Sequence, residues 1–202
     1  MIHYLYRSGN SAFAPVLLLH STGGDETELL QLAEMLAPEH PTLSIRGSVS
    51  ENGLNRYFAR YAEGKFNLDS LKVETERFFE NLLTLSAKFH MDLAKMWVIG
   101  YSNGANMALH VSLTKPAQFA KIIAFHAMQL TEVPVNADKL AQTEIFLTHG
   151  ESDSIVPEGS FTGLIENLKN AGAVLQVHRE NGGHQMTRSE IHAAQNFLED
   201  DL

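Results

Sequence analysis

The feature that most constrains this chain is an alternation. Short apolar runs at residues 15–19, 42–45, 96–99, 121–125, 145–148 and 174–178 are separated by longer stretches of helical period. Pro15-Val16-Leu17-Leu18-Leu19 is typical: it is too short for a buried helix, and Gly23-Gly24 follows soon after. Such runs read as strands buried on both faces. The intervening stretches predict helices at 26–36, 69–89, 103–113, 161–170 and 189–198. Leu29, Leu32, Ala33 and Leu36 share one face of the first, with Asp25 placed to cap it. Phe78, Leu82, Leu85 and Phe89 share one face of the second. Gly172 lies near the end of the fourth. Strands alternating with helices imply right-handed βαβ units, hence an α/β class with a mostly parallel sheet covered on both faces. Ligands of such sheets sit outside the carboxyl ends of the strands. Residues 46–68 fit neither period. With Gly47, Gly53 and Gly64 around Tyr57, Phe58 and Tyr61, they read as an irregular wall of the site.

Composition narrows the function classes. A length of 202 residues predicts a single domain over 1–202. Fifteen Lys and Arg against 24 Asp and Glu give a net charge of −9, which repels phosphate backbones and anionic lipid and argues against nucleic acid or a membrane as partner. No stretch approaches the roughly 20 apolar residues of a membrane helix. Residues 1–7 lack an apolar run behind a basic start, so no secretory leader is read there. The absence of cysteine excludes disulfides, thiolate metal sites and a Cys nucleophile, and fits a reducing compartment. The cytoplasm is the expected location. Asp200-Asp201 reads as a solvated tail.

Gly100-Tyr101-Ser102-Asn103-Gly104 lies between a predicted strand and a predicted helix. This G-x-S-x-G pattern needs that context: the sharp turn crowds the positions two before and two after the serine, and glycine has no Cβ to clash. The helix that follows aims free N–H groups at the same point. A serine hydroxyl requires a base to take its proton. His184, in Gly182-Gly183-His184 between the last strand and the last helix, stands at the correct end of the sheet. The base requires an acid. Asp153 lies on the loop after the 145–148 strand, with Glu151 a rival on the same loop. The order Ser102, Asp153, His184 is nucleophile, acid, base. Oxyanion donors are expected at the backbone N–H of Asn103 and, in the loop His20-Ser21-Thr22-Gly23-Gly24, at Thr22.

At these residues the chain resembles the phospholipase/carboxylesterase family of α/β-hydrolases, which includes the acyl-protein thioesterases, and within it the small bacterial carboxylesterases. Leu19-His20-Ser21-Thr22-Gly23-Gly24-Asp25-Glu26 resembles the oxyanion loop of that family. Ile45-Arg46-Gly47, Glu51-Asn52-Gly53 and Arg56-Tyr57-Phe58 resemble its R-G…E-x-G…R-[FY]-F block. The elbow, the loop His149-Gly150…Asp153…Val156-Pro157 and Gly183-His184 match as well. The resemblance implies a minimal α/β-hydrolase fold, a Ser-Asp-His triad with Asp153 as the acid, ester or thioester substrates, and no cofactor. The family usually carries Gly where this chain has Ser21, whose Cβ would narrow the loop or whose hydroxyl would enter the pocket.

The reading is therefore a serine esterase for small soluble carboxylic esters or thioesters. Dienelactone hydrolase, acyl-protein thioesterase and a non-catalytic binding protein on the same fold are the alternatives. Arg46 is a candidate for a substrate carboxylate or for an ion pair with an acid such as Glu51. Phe58, Met128, Val156 and Met186 are candidates for an acyl pocket. Ten histidines without tight ligand spacing point to no metal. His110 and His126 read as structural, and His20 and His149 as loop braces. A homodimer is an open expectation.

Overall fold

The computed structural model describes residues 2–132 and 136–199, so Asp200-Asp201 lies outside the described residues. The chain runs β1 (Tyr4–Arg7), β2 (Val16–Leu19), α1 (Leu30–Leu36), β3 (Thr42–Ile45), β4 (Val49–Glu51), β5 (Leu54–Arg56), β6 (Arg60–Ala62), β7 (Lys65–Phe66), α2 (Leu68–Lys88), β8 (Trp97–Tyr101), α3 (Asn103–Thr114), β9 (Lys121–Phe125), β10 (Glu144–Gly150), α4 (Glu158–Asn170), β11 (Val174–Glu180) and α5 (Arg188–Glu199). Seven strands form the main sheet in the order β1-β3-β2-β8-β9-β10-β11. All its pairings are parallel except β1 with β3.

The central strands are apolar on both sides because both sides are covered. Leu17, Leu19, Val98, Ile122, Ala124, Ile145 and Leu147 belong to one core with α2, α3 and α4. Their neighbours Val16, Leu18, Ile99, Ile123, Phe125 and Phe146 point the other way, into a core with α1 and α5. Period-2 alternation thus divides each strand between two hydrophobic layers. Among the described residues no helix is long and apolar enough to cross a membrane.

Three elements depart from the sequence reading. β1 was not anticipated. The 46–68 segment is two small hairpins, β4–β5 and β6–β7, rather than irregular chain. α1 begins at Leu30, not at residue 26: Asp25 accepts from the N–H and hydroxyl of Thr27 at 2.8 and 2.6 Å, and this local turn takes the place of the first helical turn.

Candidate active site

β8 runs straight into α3, and the turn between them is tight. Ser102 has φ 51° and ψ −110°, a conformation that costs a non-glycine residue about 1–3 kcal/mol. A Cβ on Gly100 would lie 2.7 Å from Ala105 N, and one on Gly104 would overlap the Leu19 carbonyl. The two glycines are thus what allows the serine to stand out from the sheet. Ser102 N–H donates to Phe125 O at 2.9 Å, which anchors the elbow to β9.

Ser102 Oγ lies 2.8 Å from His184 Nε2, and His184 Nδ1 lies 2.8 Å from Asp153 Oδ2. The three come from the exits of β8, β10 and β11, so a parallel sheet brings them together across 82 and 31 residues of chain. Asp153 Oδ1 accepts the N–H groups of Ile155 and Val156 at 2.8 and 2.9 Å. Burial opposes the charge on Asp153, but those amides and His184 outweigh it and hold the carboxyl below its ordinary range. Glu151, the rival acid, is exposed. Tyr101 hydroxyl donates to the His184 carbonyl at 2.8 Å, and its ring stacks on the imidazole at 5.8 Å.

Asn103 opens α3, so its N–H is one of the helix's first, which find no partner inside the helix. Thr22 faces the same cleft. Its Oγ1 accepts from Arg56 Nη1 at 2.6 Å. Ser21 does not leave a free hydroxyl: its N–H and Oγ both donate to Glu28, at 2.6 and 2.7 Å. His20 braces this loop, with Nε2 accepting from Gly47 N–H at 2.9 Å and Nδ1 donating to Ser21 O at 2.6 Å. His149 stacks on Phe161 at 4.5 Å.

Ser102, His184, Tyr101, Asn103, Ser21 and Thr22 line a cleft of about 310 Å³. Residues 70–201 match the family described as Phospholipase/Carboxylesterase. The chain belongs to that family. The putative hydrolase MhqD of Bacillus subtilis (strain 168) is 32% identical over 201 residues, covering 98% of each chain. YahD, solved with malic acid, is 43% identical with a TM-score of 0.92 and 99% coverage of both chains. The Bacillus cereus carboxylesterase is 32% identical with a TM-score of 0.94, covering 100% of this chain and 95% of that one. The phospholipase/carboxylesterase membership carries with it the α/β-hydrolase fold and a carboxylesterase-type hydrolase activity.

Of the five residues expected to bind substrate, the structure brings two to the cleft of this esterase. Val156 lines it, as does Met128. Arg46 does not: Glu26 holds its Nε and Nη2 at 2.5 and 2.9 Å, and it borders a separate groove with Gly47 and Ser48. Its acid is Glu26 rather than Glu51. Phe58 is fully buried beneath the hairpins, edge-on to Phe66. Met186 packs against the α1–α5 core. Phe58 and Met186 belong to packed layers beneath the site, whereas Arg46 faces another groove.

The sequence reading missed Arg56 and Arg60, which both line the cleft. They share a single carboxylate: Glu51 Oε2 lies 3.4 Å from Arg56 Nε and 3.1 Å from Arg60 Nε. Arg56 is 2% exposed. Burial, and then the charge of Arg60, bring it down to about 10. It also missed the partners of His126. His126, Asp153 and His184 bring atoms of metal-ligand type within 4.8 Å of one another. Both histidines there are already hydrogen-bonded to Asp153.

Proposed function

We propose that this chain is a serine hydrolase that cleaves small carboxylic esters or thioesters through an acyl-enzyme. The observation that carries this is the unbroken chain of hydrogen bonds from Ser102 through His184 to Asp153. Ser102 Oγ attacks the substrate carbonyl as His184 Nε2 takes its proton. Asp153 keeps the second imidazole proton on Nδ1 and stabilises the imidazolium. The oxyanion is received by the N–H groups of Thr22 and Asn103. Collapse breaks the ester bond, and His184 protonates the departing alcohol or thiol. Water then enters, gives its proton to His184 and releases the acid, and the proton returns to Ser102.

The arginine pair favours substrates that carry a carboxylate. Two guanidinium groups share one carboxylate, Glu51, and Glu63 also lines the cleft, so it is the N–H groups of the arginines rather than a net charge that would receive a carboxylate. YahD, solved with malic acid, is a relative found with a dicarboxylate. The cytoplasm and a single domain over 1–202 are part of the same proposal.

Ser102→Ala tests the reading. It should abolish hydrolysis of short-chain p-nitrophenyl esters and labelling by a fluorophosphonate, while the melting curve stays cooperative. Parental turnover in a folded Ser102→Ala protein would overturn the mechanism. A parent protein that no fluorophosphonate labels would favour a binding protein instead.

A further inference from the structure

Asp153 carries more than the orientation of His184. Its Oδ2 faces two imidazoles, His184 Nδ1 at 2.8 Å and His126 Nδ1 at 3.1 Å. His126 turns its other ring nitrogen to Glu190, with Nε2 3.1 Å from Oε1 and 3.2 Å from Oε2. The side chains of His126, Asp153 and Glu190 are 1%, 0% and 0% exposed. Thr187 N–H, just before α5, donates to Glu190 Oε2 at 2.8 Å.

Chemistry fixes the proton count of this cluster. A neutral imidazole has one N–H, so it can donate to one carboxylate only, and its lone pair would then face the other. Two buried carboxylates with no cation between them would also repel each other. The imidazolium satisfies both nitrogens at once. The electrostatics run the same way. Burial pushes His126 down, but Glu190 and then Asp153 outweigh it and raise it above the ordinary histidine value. Glu190 is lowered despite its own burial, chiefly by His126.

We propose that His126 is a positioning residue of the hydrolytic relay: a buried cation, held by Glu190, that clamps Asp153 and keeps it ionised behind His184. This rests on the reading of Ser102, His184 and Asp153 given above. His126, Asp153 and Glu190 together carry a charge of −1, the same as a lone aspartate, so His184 still has an anion behind it. Asp153 lies nearest the base, at 2.8 Å, and the His126 cation stands next behind it, with 5.1 Å between the centroids of the His126 and His184 rings. The cation therefore opposes protonation of Asp153, which extends catalysis toward acid pH.

The other titratable groups facing His126 are Tyr101 on β8, at a ring separation of 6.0 Å, and His149 on β10, which burial lowers. Neither lies between a ring nitrogen of His126 and its carboxylate. The backbone supports the placement as well: His126 has φ 53°, and its N–H donates to Thr148 Oγ1 at 3.3 Å.

The test uses His126→Gln, which cannot donate in both directions, and Glu190→Gln, which keeps the volume but removes the anion. For His126→Gln, kcat should fall about tenfold with KM within about twofold. The acid limb of kcat/KM should move up by about half to one pH unit. Glu190→Gln should move the limb the same way. Nitrogen-15 histidine spectra of the parent at pH 7 should give two N–H protons for His126, and those of Glu190→Gln one. If His126→Gln does not fold, the Glu190→Gln profile and the spectra decide. A variant with the parental pH profile, or a parent His126 with one N–H proton, would overturn the proposal. The spectra do not depend on turnover, so failure of the triad reading in the Ser102→Ala experiment is separately visible.

Discussion

An added methyl at Gly104 would overlap the carbonyl of Leu19, which is backbone of a central strand and cannot yield. Gly104→Ala should therefore destabilise the fold by about 3 kcal/mol, read from the urea midpoint, and displace Ser102. A parental midpoint would mean that the elbow is looser than drawn. Arg60 poses a different question. If it receives a substrate carboxylate, Arg60→Ala should reduce about tenfold the preference for a monoester of a dicarboxylic acid over the neutral diester, compared by kcat/KM. An unchanged ratio would remove the anionic end from the substrate. Ser102 and His184 could be picked out from local motifs at strand exits, and Asp153 over Glu151 only from the family resemblance; the structure places the three within hydrogen-bond reach of one another. Arg56 and Arg60 were not, because nothing in R-Y-F-A-R says which side chain turns to the cleft. Arg46 was misplaced because its acid, Glu26, lies on a different loop.

At the scale of elements, the hairpin β4–β5 connects the oxyanion loop to the elbow. Asn55 Nδ2 donates to Gly24 O at 2.8 Å, and Gly23 N–H donates to Asn55 O at 2.9 Å. Tyr57 N–H, just beyond β5, donates to Asn103 Oδ1 at 2.8 Å. The hairpin turns at Asn52 and Gly53, with φ 51° and 83°, as a two-residue turn of positive φ requires. That Asn-Gly pair was the one clear sequence sign of a hairpin in residues 46–68, and the three-residue strands around it are too short to show alternation. A Cβ at Gly53 would meet nothing within 4 Å, so Gly53→Ala isolates backbone strain. It should cost about 1 kcal/mol and lower Tm by about 2–4 °C. Gly159 in α4 also has open space but no positive φ, so Gly159→Ala should be neutral or slightly stabilising. Equal effects at the two positions would mean that the turn is not strained. The parallel strands were legible from their continuous apolar runs. β1, a half-buried antiparallel edge, lacks such a run.

For the whole molecule, the buried ion cluster links stability to pH, and its sign can be worked out group by group. Asp153 and Glu190 are held below their ordinary range in the fold. Their contribution is present above the unfolded carboxylate values of about 4 and is lost as pH falls through the folded ones. His126 is raised. Its contribution is complete below the unfolded histidine value of about 6.5 and is lost as pH rises through the folded one. Above about pH 6.5 the histidines that burial lowers, His20, His110 and His149, are neutral folded and unfolded, so the urea midpoint should decline there through His126 alone among these groups, and His126→Gln should lose that alkaline decline along with part of its stability. A parental midpoint that stays level from pH 6 to 9 would show that His126 carries no extra proton in the folded state. No reading of the chain in order could have assembled this cluster: His126 lies 27 residues from Asp153 and 64 from Glu190. It exists because β9 and β10 are parallel neighbours whose ends stand side by side, and because α5 returns its N-terminus to that rim. The sheet order that places Ser102, Asp153 and His184 together thus also places a second histidine behind the aspartate.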